Sequence, residues 1–145
     1  MTLTGIRGSW GSVNRALLLS AFEQCSLVLD CANFANPHAL FPHVSQETFD
    51  RVFIVEIEML YKLRDMTKSL ATIARQVNAQ CVIITTFNHL FNYDDKEENQ
   101  AVYHHAWKLM KKAAQSCPVF VGIEQGSDQE GYAEQFCDQI QDLEV

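Results

Sequence analysis

The sequence predicts an α/β fold of three layers, a mostly parallel sheet flanked by helices. Three observations carry that expectation. Four short apolar runs are continuous rather than alternating, the pattern of strands covered on both faces. The stretches between them repeat their apolar residues every three or four positions, as covering helices do. At 145 residues, 48% hydrophobic and 20% charged, the chain has the size and composition of one ordinary globular domain.

The runs are Ser26–Asp30, Val52–Glu56, Cys81–Thr85 and Pro118–Ile123, each four to six residues rich in β-branched or aromatic side chains. The first expected helix lies between Ser12 and Cys25, with Val13, Ala16, Leu17, Leu19, Ala21 and Phe22 on one stripe. A second runs from Glu58 to Asn78, its stripe built of Leu60, Leu63, Met66, Leu70, Ile73, Ala74 and Val77. A third runs from Asp94 to Ser116 through Val102, His105, Ala106, Leu109, Met110 and Ala113. Asp94 and Asp95 open it and Lys111 and Lys112 close it, the charge order a helix dipole favours. A final amphipathic stretch comprises Tyr132, Phe136, Ile140 and Leu143. The segment Cys31–Arg51, broken by Asn-Pro and Phe-Pro, is the longest irregular connection. No repeat or linker interrupts residues 1–145, so a single domain is expected.

Eleven Lys and Arg against eighteen Asp and Glu leave a net charge of −7. Such a balance argues against holding DNA or anionic lipid by bulk charge. No apolar run reaches the ~20 residues of a membrane helix, and Met1–Gly5 lacks the basic start and apolar core of a signal peptide. The expectation is a cytoplasmic protein with free thiols at Cys25, Cys31, Cys81, Cys117 and Cys137 and no membrane partner. Cys25, Cys31, His38 and His43 follow a C-x5-C-x6-H-x4-H spacing, unlike structural zinc sites, whose thiolates are paired closely. No metal is expected.

The most informative stretch is Gly5-Ile6-Arg7-Gly8-Ser9-Trp10-Gly11-Ser12, which runs directly into a helix. A P-loop reads GxxxxGK[ST] and likewise opens a helix, whose N-terminus and backbone N–H groups cradle phosphate. Gly5 and Ser12 match its ends, whereas Trp10 replaces the second glycine and Gly11 the lysine. An indole occupies the space a phosphate needs, so Trp10 is expected to fill a vacated pocket. Without lysine no ammonium reaches the β- and γ-phosphates. Ser12 is expected to cap the helix.

From here the order of segments resembles the core of RecA/RadA-type recombinases and their paralogues. Leu27–Pro37 is similar to the family's apolar-D-T-E-x-x-F-x-P segment with one residue fewer. Val52–Val55 is similar to its next strand, and Cys81–Phe91 to its Walker B run, apolar-D-S-L-x-x-x-F. Val119–Gln125 is similar to the strand that ends in a nucleotide-sensing glutamine, matched by Gln125. The resemblance spans residues 3 to 126. It implies a three-layer RecA-like P-loop fold.

Measured against that family, the departures point to lost catalysis. The degenerate P-loop comprises Gly5, Gly8, Trp10, Gly11 and Ser12. The catalytic glutamate position falls at Ala32 or Asn33, and the Walker B aspartate position at Thr85. Phosphoryl transfer rests on lysine, Mg²⁺ and an oriented water, and none of these residues supplies them. Catalytic residues, cofactor and metal are therefore all expected to be none, with Gln125 a sensor remnant. The resemblance implies a non-catalytic paralogue, a pseudo-ATPase without the family's N-terminal extension. Its role would be accessory, in DNA recombination and repair. The partner would be a recombinase, another paralogue or a second copy, met through Tyr132–Leu143 or Cys31–Arg51. The family's DNA-contacting loop reads here Glu124–Gly131, acidic and without arginine, so DNA binding would be weak.

Other features carry plainer readings. Asp30 reads as a strand-end carboxylate meeting solvent, His105 as the edge of a buried stripe and His104 as exposed. His89, His104 and His105 assemble into no Ser/His/Asp set. Arg7 and Trp10 are candidates to line a cleft. Lys62, Lys68 and Arg75 share one helix face and read as solvated. The alternative function is a small α/β enzyme or ligand-binding domain, with its pocket at the strand C-terminal ends near Asp30, Glu56, Thr85 and Gln125.

Overall fold

The structure, a computed structural model, describes residues 1–35, 47, 50–90 and 95–143. Among them, six strands form one all-parallel sheet: β1 Leu3–Gly8, β2 Ser26–Asp30, β3 Val52–Glu56, β4 Cys81–Ile84, β5 Val119–Glu124 and β6 Gln139–Asp142. Their order across the sheet is β3-β2-β4-β5-β1-β6. Five helices cover it among the described residues: α1 Trp10–Ala21, α2 Leu60–Lys68, α3 Leu70–Gln76, α4 Lys96–Ala113 and α5 Gln129–Phe136. The expected α/β class with a parallel sheet between helical layers is thus present.

Alternation within each strand builds two cores on one sheet. Val28 of β2 and Ile83 of β4 point toward α1, joining Val13, Leu17, Leu18 and Ala21. Their neighbours Leu27, Leu29, Val82 and Ile84, with Val119, Val121 and Ile123 of β5, face α2 to α5. This two-sided burial is why the strands read as continuous apolar runs. Trp107, fully buried on α4, packs beside Phe87 and stacks on Tyr132 and Phe136.

Caps set the helix limits. Ser9 accepts from the Ser12 N–H at 3.4 Å, so Ser9 caps α1 and Ser12 lies inside it. Asp95 accepts from the Glu98 N–H at 3.0 Å and caps α4, which Lys111 and Lys112 end as expected.

Several expectations need correction. The helix expected over Glu58–Asn78 is two, broken at Ser69, so Lys62 and Lys68 lie on one and Arg75 on the other. On α1 it is Leu18 that is buried, whereas Leu19 is exposed. The closing amphipathic stretch is not one helix, because α5 ends at Phe136 and Ile140 belongs to β6. Strands β1 and β6 fall outside the four apolar runs. Most of the expected Cys31–Arg51 connection, along with Asp94 at the expected start of the third helix, lies outside the described residues.

Candidate functional site

The C-terminal ends of β2 and β3 border an open cleft of about 400 Å³ lined by Trp10, Asp30, Glu56, Glu58 and His89 among others. Parallel α/β sheets take ligands at this end of the strands. How each side chain arrives there decides what the cleft can hold.

Asp30 is the last residue of β2 and almost completely buried. Its Oδ1 accepts from the Phe34 N–H at 3.1 Å and its Oδ2 from the Ala35 N–H at 2.8 Å. The expectation that Asp30 meets solvent is therefore corrected: the carboxylate is consumed in closing the turn after β2. Thr85, immediately after β4, is fully buried. Its Oγ1 accepts from the N–H groups of Cys31 at 2.7 Å and Ala32 at 3.1 Å, tying the ends of β2 and β4 together. Cys31 lies on the cleft wall, yet burial, and secondarily the Asp30 charge, pushes its thiol well above the ordinary value. It stays protonated and is a poor nucleophile.

The expected P-loop residues divide between two regular elements. Gly5 and Gly8 are in β1, Trp10, Gly11 and Ser12 open α1, and Ser9 alone lies between. A cradle requires a run of backbone N–H groups curving around an anion, and a one-residue turn provides no such run. Gly5 has a packing reason to be glycine. A Cβ there would stand 2.4 Å from Ile123 Cδ1 and 3.2 Å from Cys137 Sγ.

Trp10 does not fill a pocket. As the first residue of α1 it is 36% exposed and leans edge-on against Phe34, centroids 5.2 Å apart, forming the rim of the cleft. Arg7 is corrected as well, since it does not line the cleft. Its Nε and Nη2 donate to the two Asp142 oxygens at 2.5 and 3.0 Å, across the β1–β6 edge. Gln125 is exposed beyond β5, its backbone N–H donating to the Gly8 carbonyl at 2.9 Å, away from Asp30 and Glu56. Of the four strand-end residues, Asp30 and Glu56 line the cleft, Thr85 lies buried behind it and Gln125 is elsewhere.

Charge sets what enters. Asp30, Glu56 and Glu58 are acidic, His89 is 3.2 Å from Glu124, and no lysine or arginine lines the described wall. Lys62 comes near only to donate to the Glu56 carbonyl at 2.9 Å. An acidic wall repels a triphosphate. Among the described residues no group of three His, Cys, Asp or Glu is placed to hold a metal ion, while His38 and His43 lie outside them.

The two histidines of α4 exchange roles relative to expectation. His105 is exposed, and His104 is half-buried edge-on against Phe136 at 5.3 Å. Asn14 was legible only as a polar interruption in an apolar stripe. Fully buried, it grips Thr86 twice: Nδ2 donates to Thr86 Oγ1 at 2.9 Å, and Oδ1 accepts from the Thr86 N–H at 3.0 Å. It locks α1 to the end of β4. No described helix is long and apolar enough to cross a membrane. No known family model matches the chain, and no curated protein matches it.

Proposed function

We propose that the chain is a non-catalytic, RecA/RadA-like accessory domain that works by binding a protein partner in DNA recombination or repair. One observation carries the loss of catalysis: the turn between β1 and α1 is a single residue, followed by Trp10 and Gly11 where a phosphate cradle needs a loop and a lysine. The acidic cleft wall and the internal commitment of Asp30 and Thr85 support the same reading. The order of the matched segments supports the family. A partner would meet the outer edge of β6 or the loops at the strand ends, since Tyr132 and Phe136 pack inward while Gln139, Gln141 and Asp142 of β6 are exposed.

The test is a titration with ATP and Mg²⁺, using adenosine as the phosphate-free control, alongside an assay of phosphate release and equilibrium binding to the recombinase of the same cell. The expected result is no turnover, no gain in affinity from the triphosphate, and saturable binding to the recombinase. Turnover, or Mg²⁺-dependent micromolar ATP binding tighter than that of adenosine, would overturn the loss of catalysis. No binding to the recombinase would overturn the accessory role.

The second reading, a small ligand-binding or catalytic α/β domain, is favoured by one observation, the open cleft that Trp10 borders rather than plugs. Its acidic wall suits a cationic small molecule, and quenching of Trp10 fluorescence by such a ligand would favour this reading over the first.

A further inference from the structure

Two carboxylates stand on the wall of the open cleft of about 400 Å³ at the ends of β2 and β3. Glu56 closes β3 and Glu58 follows it, both exposed, while Ile57 between them is only 2% exposed. An extended chain turns alternate residues to opposite sides, so Ile57 goes to the core and both glutamates to the cleft. Neither makes an ion pair among the described residues. Asp30 also lines the cleft, but its oxygens are taken by the Phe34 and Ala35 N–H groups. Glu56 and Glu58 are therefore the free acceptors.

The chain itself supplies no cation to them. Every lysine and arginine of the sequence is among the described residues, and none lines the cleft. Lys62 donates to the Glu56 backbone carbonyl at 2.9 Å rather than to a carboxylate. His89, on the same wall, lies 3.2 Å from Glu124. Across the rim, Trp10 adds an aromatic surface that is 36% exposed and steadied edge-on by Phe34. An indole left in water at the first position of a helix contributes little to the core. Its face attracts a cation through the ring quadrupole.

We propose that this cleft receives an arginine side chain presented by the protein partner, its guanidinium set between Glu56, Glu58 and the Trp10 indole. Residues two apart on an extended chain are about 7 Å apart, so two long glutamate side chains close on one planar group from neighbouring positions. A guanidinium offers five N–H donors in a fixed fork and stacks on aromatic faces. An ammonium is a point charge with no plane to stack. An open cleft suits a side chain entering from another surface, and arginine is enriched among the anchors of protein interfaces. The partner surface is accordingly basic, the complement of a chain of charge −7. The inference rests on the protein partner of the proposed function and names the chemistry of the contact.

The test titrates the full chain with acetyl-Ala-Arg-Ala-amide and with its citrulline counterpart, which keeps the shape and loses the charge. The Trp10 indole N–H, followed by NMR, is expected to shift saturably with the arginine peptide in the millimolar range. The citrulline peptide is expected to bind more weakly by roughly tenfold or more, and added salt to weaken the arginine peptide. Glu56→Gln combined with Glu58→Gln removes charge at exposed positions. That variant is expected to melt with the parent and to lose most of the shift; Trp10→Leu, followed by calorimetry, should weaken binding about threefold. Absence of a saturable shift, equal binding of the citrulline peptide, or an undiminished response in the folded double variant would overturn the proposal. So would free agmatine binding about tenfold tighter than the peptide, which would make the cleft a small-molecule site. Peptide binding without recombinase binding would keep the cleft and remove the named partner, and the reverse would remove the cleft alone.

Discussion

Two backbone N–H groups at the end of β2, those of Cys31 and Ala32, converge on the Thr85 hydroxyl inside the protein. Thr85 is shut off from solvent, so its hydroxyl has no ready substitute. The hydroxyl is a staple between two strands. Thr85→Val keeps the shape and removes the acceptor, leaving one buried donor, the Cys31 N–H, and one part-buried donor, the Ala32 N–H, unmet. Each such group costs about 1–3 kcal/mol, so the variant is expected to lose roughly 2–4 kcal/mol in urea unfolding with an unchanged slope. Thr85→Ser keeps the hydroxyl and is expected to lose only about 1 kcal/mol. Thr85→Asp is expected to destabilise the fold, because the Asp30 carboxylate already lies 3.4 Å from the Thr85 hydroxyl. A neutral Thr85→Val would show that the hydroxyl is not a staple. Asp30 and Glu56 were legible as site residues because a polar residue ending an apolar run marks a strand's carboxyl end. Asn14 was not, since nothing in a sequence distinguishes a buried amide from the many that face water.

Elements that make both sides of a core were legible, and those supported by neighbours were not. Leu3-Thr4-Gly5-Ile6-Arg7-Gly8 has two glycines and an arginine, poor credentials for a strand. It is nevertheless an interior strand, paired to β5 on one side and β6 on the other. Gly5 allows the close approach of Ile123, and Arg7 faces Asp142. Strand β6, Gln-Ile-Gln-Asp, is mostly exposed and exists by pairing with β1. The break at Ser69 was hidden because both of its helices keep one apolar stripe. Close approach also governs the α1 layer. A Cβ on Gly122 would meet Leu17 Cδ1 at 2.9 Å and the Thr86 backbone nitrogen at 3.0 Å, the residue Asn14 holds in place. Gly122→Ala must therefore push α1 from the sheet or bend the end of β4, an overpacking expected to cost roughly 1–3 kcal/mol. Chemical denaturation measures it, and a variant as stable as the parent would mean that this layer is looser than its contacts indicate.

Across the whole molecule the sheet closes with its first and last strands side by side, and charges secure that closure. Asp138, just before β6, accepts from Lys111 of α4 and, at 2.8 Å, from the Leu3 N–H, while Asp142 pairs with Arg7. The Lys111 hydrogen bond, followed by that of Leu3, holds the Asp138 carboxyl below its ordinary 3.8, and the Arg7 hydrogen bond does the same for Asp142. A carboxyl whose value is lowered on folding stabilises the fold fully above the unfolded value. That contribution is lost as pH falls through the lower folded value. The closure is therefore expected to be insensitive to pH above about 5 and to weaken progressively below 3.8. Both pairs are solvent-exposed, so added salt should diminish the effect. Hydrogen exchange in a peptide spanning Gln139–Asp142, followed between neutral pH and pH 3 and corrected for intrinsic rates, should show protection lost there before it is lost in β2 or β4. Asp138→Asn combined with Asp142→Asn should remove most of this local pH dependence and leave a β6 that opens more readily at neutral pH. If the doubly substituted chain kept the parent's acid response in this strand, other groups would hold the edge and the charge pairs would be incidental to it.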